Sequence, residues 1–292
     1  MIMPAHRVLL TGIGRRVASH VSVAAHRTPP LLPKVDGALF ARAAIIWLSI
    51  VLPDSAWKAA SAQPTGQAPA FAVLVFTKTA GFRHDSIPAG IAALKLLGDQ
   101  HNFHVDASED AAVFTAESLA RYRLVIFLNT TGAILARGEQ AAFERFIQRG
   151  GGFVGIHAAT DTGYEWPWYG QLVGTYFESH PAIQTATLRV VEATHASTKL
   201  LPAEWRRRDE WYNFRADPSS RVQILLRIDE TTYSGGSMGT SHPISWYHEY
   251  DGGRAWYTAM GHTAESYKEP LFLSHLLGGI RWAAGAIPEE AS

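Results

Sequence analysis

Cysteine is missing from all 292 residues. That excludes disulfides, a thiol nucleophile and any thiolate metal site, and leaves the redox compartment unreadable from this residue. An excess of charge of one sign is missing as well, since 26 Lys and Arg balance 26 Asp and Glu. The electrostatic case for nucleic acid falls with it. No apolar run is long enough to span a bilayer. The run from Ala43 to Leu52 falls well short of the roughly 20 residues a membrane helix needs. It has the length of a signal-peptide core, with Lys34 and Arg42 ahead of it and a small-x-small site at Ala60-Ser61-Ala62. Residues 1–62 therefore read as a signal-peptide region cleaved before Gln63, with no membrane span after cleavage and a periplasmic or secreted product. The stretch ahead of the core is long for an n-region, which places the true start near Val35. An uncleaved anchor is the alternative. Residues 63–69 are a Pro/Gly/Gln linker. No internal repeat and no second linker follow, so 70–287 is one domain.

Histidine and tryptophan are abundant, at 13 and 9 residues, and many lie after residue 157. Phe71 to Phe76, Leu124 to Leu128 and Phe153 to Ile156 are short runs apolar on both faces, as in buried strands of a parallel sheet. Helical patterns separate them, the one after the first run starting near Pro88 and another covering 139–149. The order β-α-β-α-β-α-β predicts an α/β fold with a doubly wound sheet. Further strands are predicted over 183–192 and 222–228. A hairpin is predicted around Asp251-Gly252-Gly253, and a closing helix over 270–284.

Such sheets bind ligands at the carboxyl ends of their strands. Gly155-Ile156-His157-Ala158-Ala159 ends one strand there, with small residues that permit a sharp elbow carrying His157. His157 is either a site residue or a histidine packed at a strand end. His84 and Asp85 fall on the first strand-to-helix loop of the same edge, where Asp85 either caps the helix or faces a ligand. Asn129 and Thr130 close the next strand and either contact a ligand or complete the turn.

Taken together, Gly81-Phe82-Arg83-His84-Asp85-Ser86-Ile87, Gly155-Ile156-His157-Ala158-Ala159-Thr160-Asp161, Trp168-Tyr169, His180-Pro181, Asp209-Glu210-Trp211-Tyr212 and Gly261-His262-Thr263 resemble the trehalose-utilisation (ThuA-like) family. The resemblance implies a flavodoxin-like sandwich of the class I glutamine amidotransferase type, with a mainly parallel central sheet. His157 stands where those enzymes carry their cysteine, so ammonia release from glutamine is excluded. Gly261-His262, with Glu265 three residues on, resembles their late histidine and glutamate. The resemblance also implies a role in the use of disaccharides or related glycosides, among them 3-keto-glycosides.

An imidazole can remove the acidic proton beside the carbonyl of an oxidised glycoside, while an acid assists the leaving group. His84, His157 and His262 suit this work in a keto-glycoside hydrolase or lyase. Asp161 or Asp85 would orient a ring, and Glu265 would serve His262. Asp85, Asn129, Thr130, Tyr164, Trp168, Tyr169, His180, Glu210, Trp211, Tyr212 and Trp246 are the candidate sugar contacts. Asp209 and Glu210 are adjacent, so on a strand they would point to opposite faces. No cofactor is required by this reading. A divalent metal held by imidazoles and a carboxylate is left open, although no His-x-x-x-His pair marks it. The rival readings are a non-catalytic sugar-binding protein and a partner of a sugar oxidoreductase.

Overall fold

A computed structural model describes residues 70–286; the segments expected to form a signal-peptide region and a linker lie outside the described residues. In chain order the main elements are β1 (Phe71–Phe76), α1 (Ile87–His101), β2 (Phe103–Ser108), α2 (Ala116–Leu119), β3 (Leu124–Leu128), α3 (Arg137–Gln148) and β4 (Gly152–Ile156). There follow α4 (Pro167–Val173), β5 (Phe177–Ser179), β6 (Gln184–Val190), β7 (Glu204–Asp209), β8 (Asn213–Phe214), β9 (Gln223–Asp229), β10 (Pro243–Tyr250), β11 (Gly253–Thr258) and α5 (Pro270–Ala284).

The central sheet has nine strands in the order β2-β1-β3-β4-β11-β10-β9-β6-β7. The first five are mutually parallel, which gives the expected flavodoxin-like doubly wound fold. β1 and β3 send their crossovers in opposite directions along the sheet, so right-handed connections put α1 and α3 on opposite faces. Every residue of β3 and β4 is buried, as strands covered on both faces require. Phe127, Phe143, Phe153 and Tyr169 fill the layer beneath α3 and α4 with rings 5.3–6.1 Å apart. The predicted hairpin is β10 and β11, and Asp251 and Gly252 both take positive φ in its turn.

Beyond β11 the sheet continues as a wing in which each strand reverses the one before it. Four reversals leave β7 running in the same sense as β11, so its carboxyl end lies on the same edge. In a flat sheet β7 would stand about 19 Å from β11, four spacings of ~4.8 Å. Asp209, the last residue of β7, nevertheless accepts the Gly261 N–H at 2.9 Å just after β11. The wing therefore curls back over the α5 side, where Arg207 of β7 lies 4.8 Å from the Phe272 ring. This curl brings a loop of the wing to the site. Among the described residues, no helix is long and apolar enough to cross a membrane.

Candidate active site

His157 follows β4 directly and takes φ 50°, a left-handed conformation costing roughly 1–2 kcal/mol in a residue with a Cβ. Its surroundings hold it there. Tyr257 donates its hydroxyl to the His157 carbonyl at 2.8 Å and is within 3.0 Å of the Thr160 hydroxyl. The His157 ring is fully buried 4.2 Å from that of Tyr212. Its Nδ1–H donates to the Ala259 carbonyl at 2.7 Å. That bond fixes the tautomer, so in the neutral ring Nε2 offers a lone pair to the site.

His262 leaves β11 on a sharp turn. Gly261 has φ 110°, and a Cβ there would lie 2.7 Å from the Tyr267 hydroxyl. Buried Asp209 fixes this turn by accepting the N–H groups of Gly261 at 2.9 Å and His262 at 3.1 Å. Its charge is met by Arg207 at 3.2 Å. His84 sits on the loop after β1, which Thr131 pins by donating its hydroxyl to the Phe82 carbonyl at 2.9 Å. Burial, reinforced by the charges of His157 and His262, lowers the His84 pKa to about 3. The ring is therefore neutral, and its buried Nδ1 has no hydrogen-bond partner.

Glu210 completes the group from the loop after β7. Its Oε2 lies 3.1 Å from His262 Nδ1 and 3.5 Å from His157 Nε2. Those two ring nitrogens are 3.1 Å apart. Oε1 lies 3.0 Å from Nδ1 of His180, a ring that is partly exposed and also shares that Nδ1 with the Pro181 carbonyl. Burial alone would raise the Glu210 pKa, but the adjacent His157 and His262 rings outweigh it and hold the carboxylate ionised. Burial would likewise lower His262, and its bond to Glu210 reverses that to a net rise. One ligand atom from each of His84, His157, Glu210 and His262 lies within 4.8 Å of the others, so these four could hold a metal ion.

The structure thus joins all three predicted histidines and corrects their supports. Glu210, not Glu265, partners His262; Glu265 is exposed and belongs to the turn beyond it. A backbone carbonyl, not Asp161 or Asp85, orients His157. Asp161 instead accepts the Tyr164 hydroxyl at 2.6 Å, and burial raises its pKa. Asp85 is exposed and caps nothing by a side-chain bond; Ser86 is the N-cap residue. Asn129 is buried at φ 52° and donates to Ser86 at 2.9 Å and the Gly261 carbonyl at 3.3 Å, so it ties three loops together. Buried Thr130 bonds Thr162. The role of Asp209 was missed: on the strand it points at the backbone of His262, while Glu210 points at the ring.

Several aromatic residues expected to meet a sugar are core residues. Tyr169, Trp211 and Trp246 are at most 1% exposed and donate to the carbonyls of Ala159, Gln184 and Val173. Their rings have no free face. Trp168 bonds Asp251 in the β10–β11 turn, which puts it on the amino edge of the sheet, opposite His157. Tyr212 does line the cluster, with Phe177 4.3 Å away and His180 6.0 Å away. The wing carries a separate cleft of about 550 Å³ that includes Arg189, Asp229 and Glu230. Its carboxylates are already paired, Asp229 with Arg189 at 2.8 Å and Glu230 with His242 at 2.7 Å, which leaves the His–Glu cluster as the stronger candidate.

Comparison with known proteins agrees with this architecture. A family model described as "ThuA: Trehalose utilisation" matches residues 72–283. A putative ThuA-like protein from Bacteroides uniformis is 26% identical, with a TM-score of 0.66 over 74% of this chain and 92% of that one. One from Parabacteroides merdae is 22% identical, with a TM-score of 0.64 over 76% and 93% of the two chains. A cytoplasmic protein from Salmonella typhimurium LT2 shares the fold at 15% identity, with a TM-score of 0.51 over 74% and 98%. No curated protein matches the sequence. With the family pattern covering nearly the whole described domain, the chain belongs to the ThuA family of trehalose utilisation.

Proposed function

We propose that this protein acts on a glycoside, by proton transfer at the His–Glu cluster, within the carbohydrate utilisation that its family implies. The observation that carries the reading is the position of Glu210 between two imidazoles. Oε1 takes the Nδ1–H of His180, and Oε2 takes that of His262. Each ring is thereby oriented with Nε2 directed away from the carboxylate, and each retains some exposure, 42% for the His180 side chain and 19% for His262. A carboxylate that orients an imidazole in this way prepares it for acid or base work.

A 3-keto-glycoside is the substrate that suits the pair. The Nε2 of His180 takes the proton from the carbon beside the keto group. The electron pair left behind forms the carbon–carbon double bond of an enone as the glycosidic oxygen departs. His262, held charged by Glu210, gives that oxygen its proton. His157 and His84 close the buried wall behind them. On the signal-peptide reading of residues 1–62, the reaction takes place outside the cytoplasm, downstream of a sugar oxidoreductase.

The test mixes purified protein with a glycoside and with its 3-keto derivative and follows products by NMR. Glu210→Gln should lower turnover of the keto sugar by ~10²–10⁴-fold with the fold intact by circular dichroism. Saturable binding of the sugar without product would replace the enzyme with a binding protein. If neither sugar binds, the reading fails.

A further inference from the structure

Three contacts at the heart of the cluster cannot all be hydrogen bonds. His157 Nε2, His262 Nδ1 and Glu210 Oε2 form a triangle with sides of 3.1, 3.1 and 3.5 Å. The Nδ1 proton of His157 is committed to the Ala259 carbonyl, so in the neutral ring Nε2 faces inward as a lone pair. Glu210 Oε2 is also an acceptor. Each ring nitrogen carries at most one proton, and a proton placed between the two nitrogens leaves one of them with none to offer Glu210. His84 adds a neutral ring, 95% buried, whose Nδ1 has no partner, with its centroid 4.9 Å from that of His157 and 5.0 Å from that of His262. Packing so many acceptors together out of water is unfavourable unless a positive charge joins them.

The dimensions say which charge. Ligand atoms bound tetrahedrally to zinc at ~2.0–2.1 Å stand about 3.3 Å apart. The triangle matches one face of that tetrahedron, and His84 stands beside it. The donor set is imidazole nitrogen plus one carboxylate oxygen, which suits zinc and related first-row divalent ions and not magnesium or calcium. The outer contacts are those of a metal site as well. A backbone carbonyl holds the far nitrogen of His157, and His180 holds the far oxygen of Glu210.

We propose that His84, His157, Glu210 and His262 form a binding site for one divalent transition-metal ion, zinc by preference. The inference rests on the reading that this cluster is the working site and deepens it. The cation takes the place of the His262 Nδ1 proton between these ligand atoms and holds the His262 ring in position, and His180 stays outside the coordination sphere as the base.

Binding is measured without any sugar. The full chain is treated with chelator, dialysed and titrated with Zn²⁺ by calorimetry. Co²⁺ is titrated in parallel and followed by its visible absorption, which is intense only at low coordination number. A single tight equivalent and an intense cobalt spectrum are expected. Glu210→Gln and His84→Gln should each weaken binding by more than ~100-fold, and His180→Gln by ~10–100-fold, as removal of an outer contact does. His84→Gln keeps a neutral polar group on a loop and guards against a variant that fails to fold. Absence of a tight equivalent in the wild type overturns the proposal, as does equal affinity in both ligand variants, because binding would then belong to other histidines. The two readings fail separately. Tight binding with no sugar turnover leaves the metal site standing and removes the glycoside. Turnover of the keto sugar by a protein that takes up no tight equivalent removes the metal and leaves the glycoside.

Discussion

Arg207 faces two carboxylates that should differ sharply in worth. Asp209 is fully buried, 3.2 Å from Nη2 of an arginine side chain that is 3% exposed. It also accepts the N–H groups of Glu210, Gly261 and His262 and the Ser266 hydroxyl at 2.9–3.1 Å. Glu269 lies 3.1 Å from Arg207 Nε with a side chain 29% exposed, a separation that gives charge attraction without hydrogen-bond alignment. Asp209→Ala leaves a buried guanidinium with its better partner gone and three backbone donors without an acceptor. Breaking a buried pair in this way costs ~3–5 kcal/mol. Glu269→Gln keeps the Trp205 indole bond, at 2.8 Å, and removes only a half-solvated attraction, for ~1 kcal/mol or less. Asp209→Asn should fall between, because one amide oxygen cannot replace two carboxylate oxygens. The assay is urea unfolding with linear extrapolation, with m unchanged across the series. Equal losses for Asp209→Ala and Glu269→Gln, or a loss below ~1 kcal/mol for Asp209→Ala, would refute the argument that burial sets the difference.

Other outcomes follow from the same geometry. His275 is fully buried, its Nδ1–H given to the Ser197 carbonyl at 2.8 Å, and burial lowers its pKa to about 3 from the ordinary 6.5. The unfolded chain therefore takes up the proton first, so stability is full above pH 6.5 and falls as pH drops from 6.5 toward 3, by up to ~1.4 kcal/mol per unit. Urea midpoints measured across that window should show a shallower acid limb in His275→Asn. Gly155→Ala places a Cβ 2.9 Å from the Tyr257 ring that supports the His157 carbonyl, and calorimetric unfolding should show a loss of ~1–3 kcal/mol. Trp168→Phe, on the far edge of the sheet, should leave sugar binding unchanged in a titration that Tyr212→Ala abolishes.

Much of the architecture was legible because it is written locally. The runs at 71–76, 124–128 and 153–156 are too apolar to lie anywhere but between two layers, and β1, β3 and β4 occupy them. The small residues around His157 permitted the elbow that its φ of 50° displays. The aromatics were harder. An indole ring has the same chemistry in a core as beside a sugar; Trp246 went to the core against the end of α4, and Trp211 against the start of β6. Glu265 looked like the partner of His262 because it is near in sequence. Glu210 has that place because β7 returns to the same edge.

The sequence by itself determined the alternation of strand and helix, the edge on which the histidines emerge and the impossibility of thiol chemistry. Only the tertiary structure decided that His84, His157, Glu210 and His262 meet. They come from loops separated by whole elements, and no spacing along the chain encodes a distance that depends on how a nine-stranded sheet curls. The curl is a property of twist and packing summed over many residues, so the site came into view with the fold and not before it.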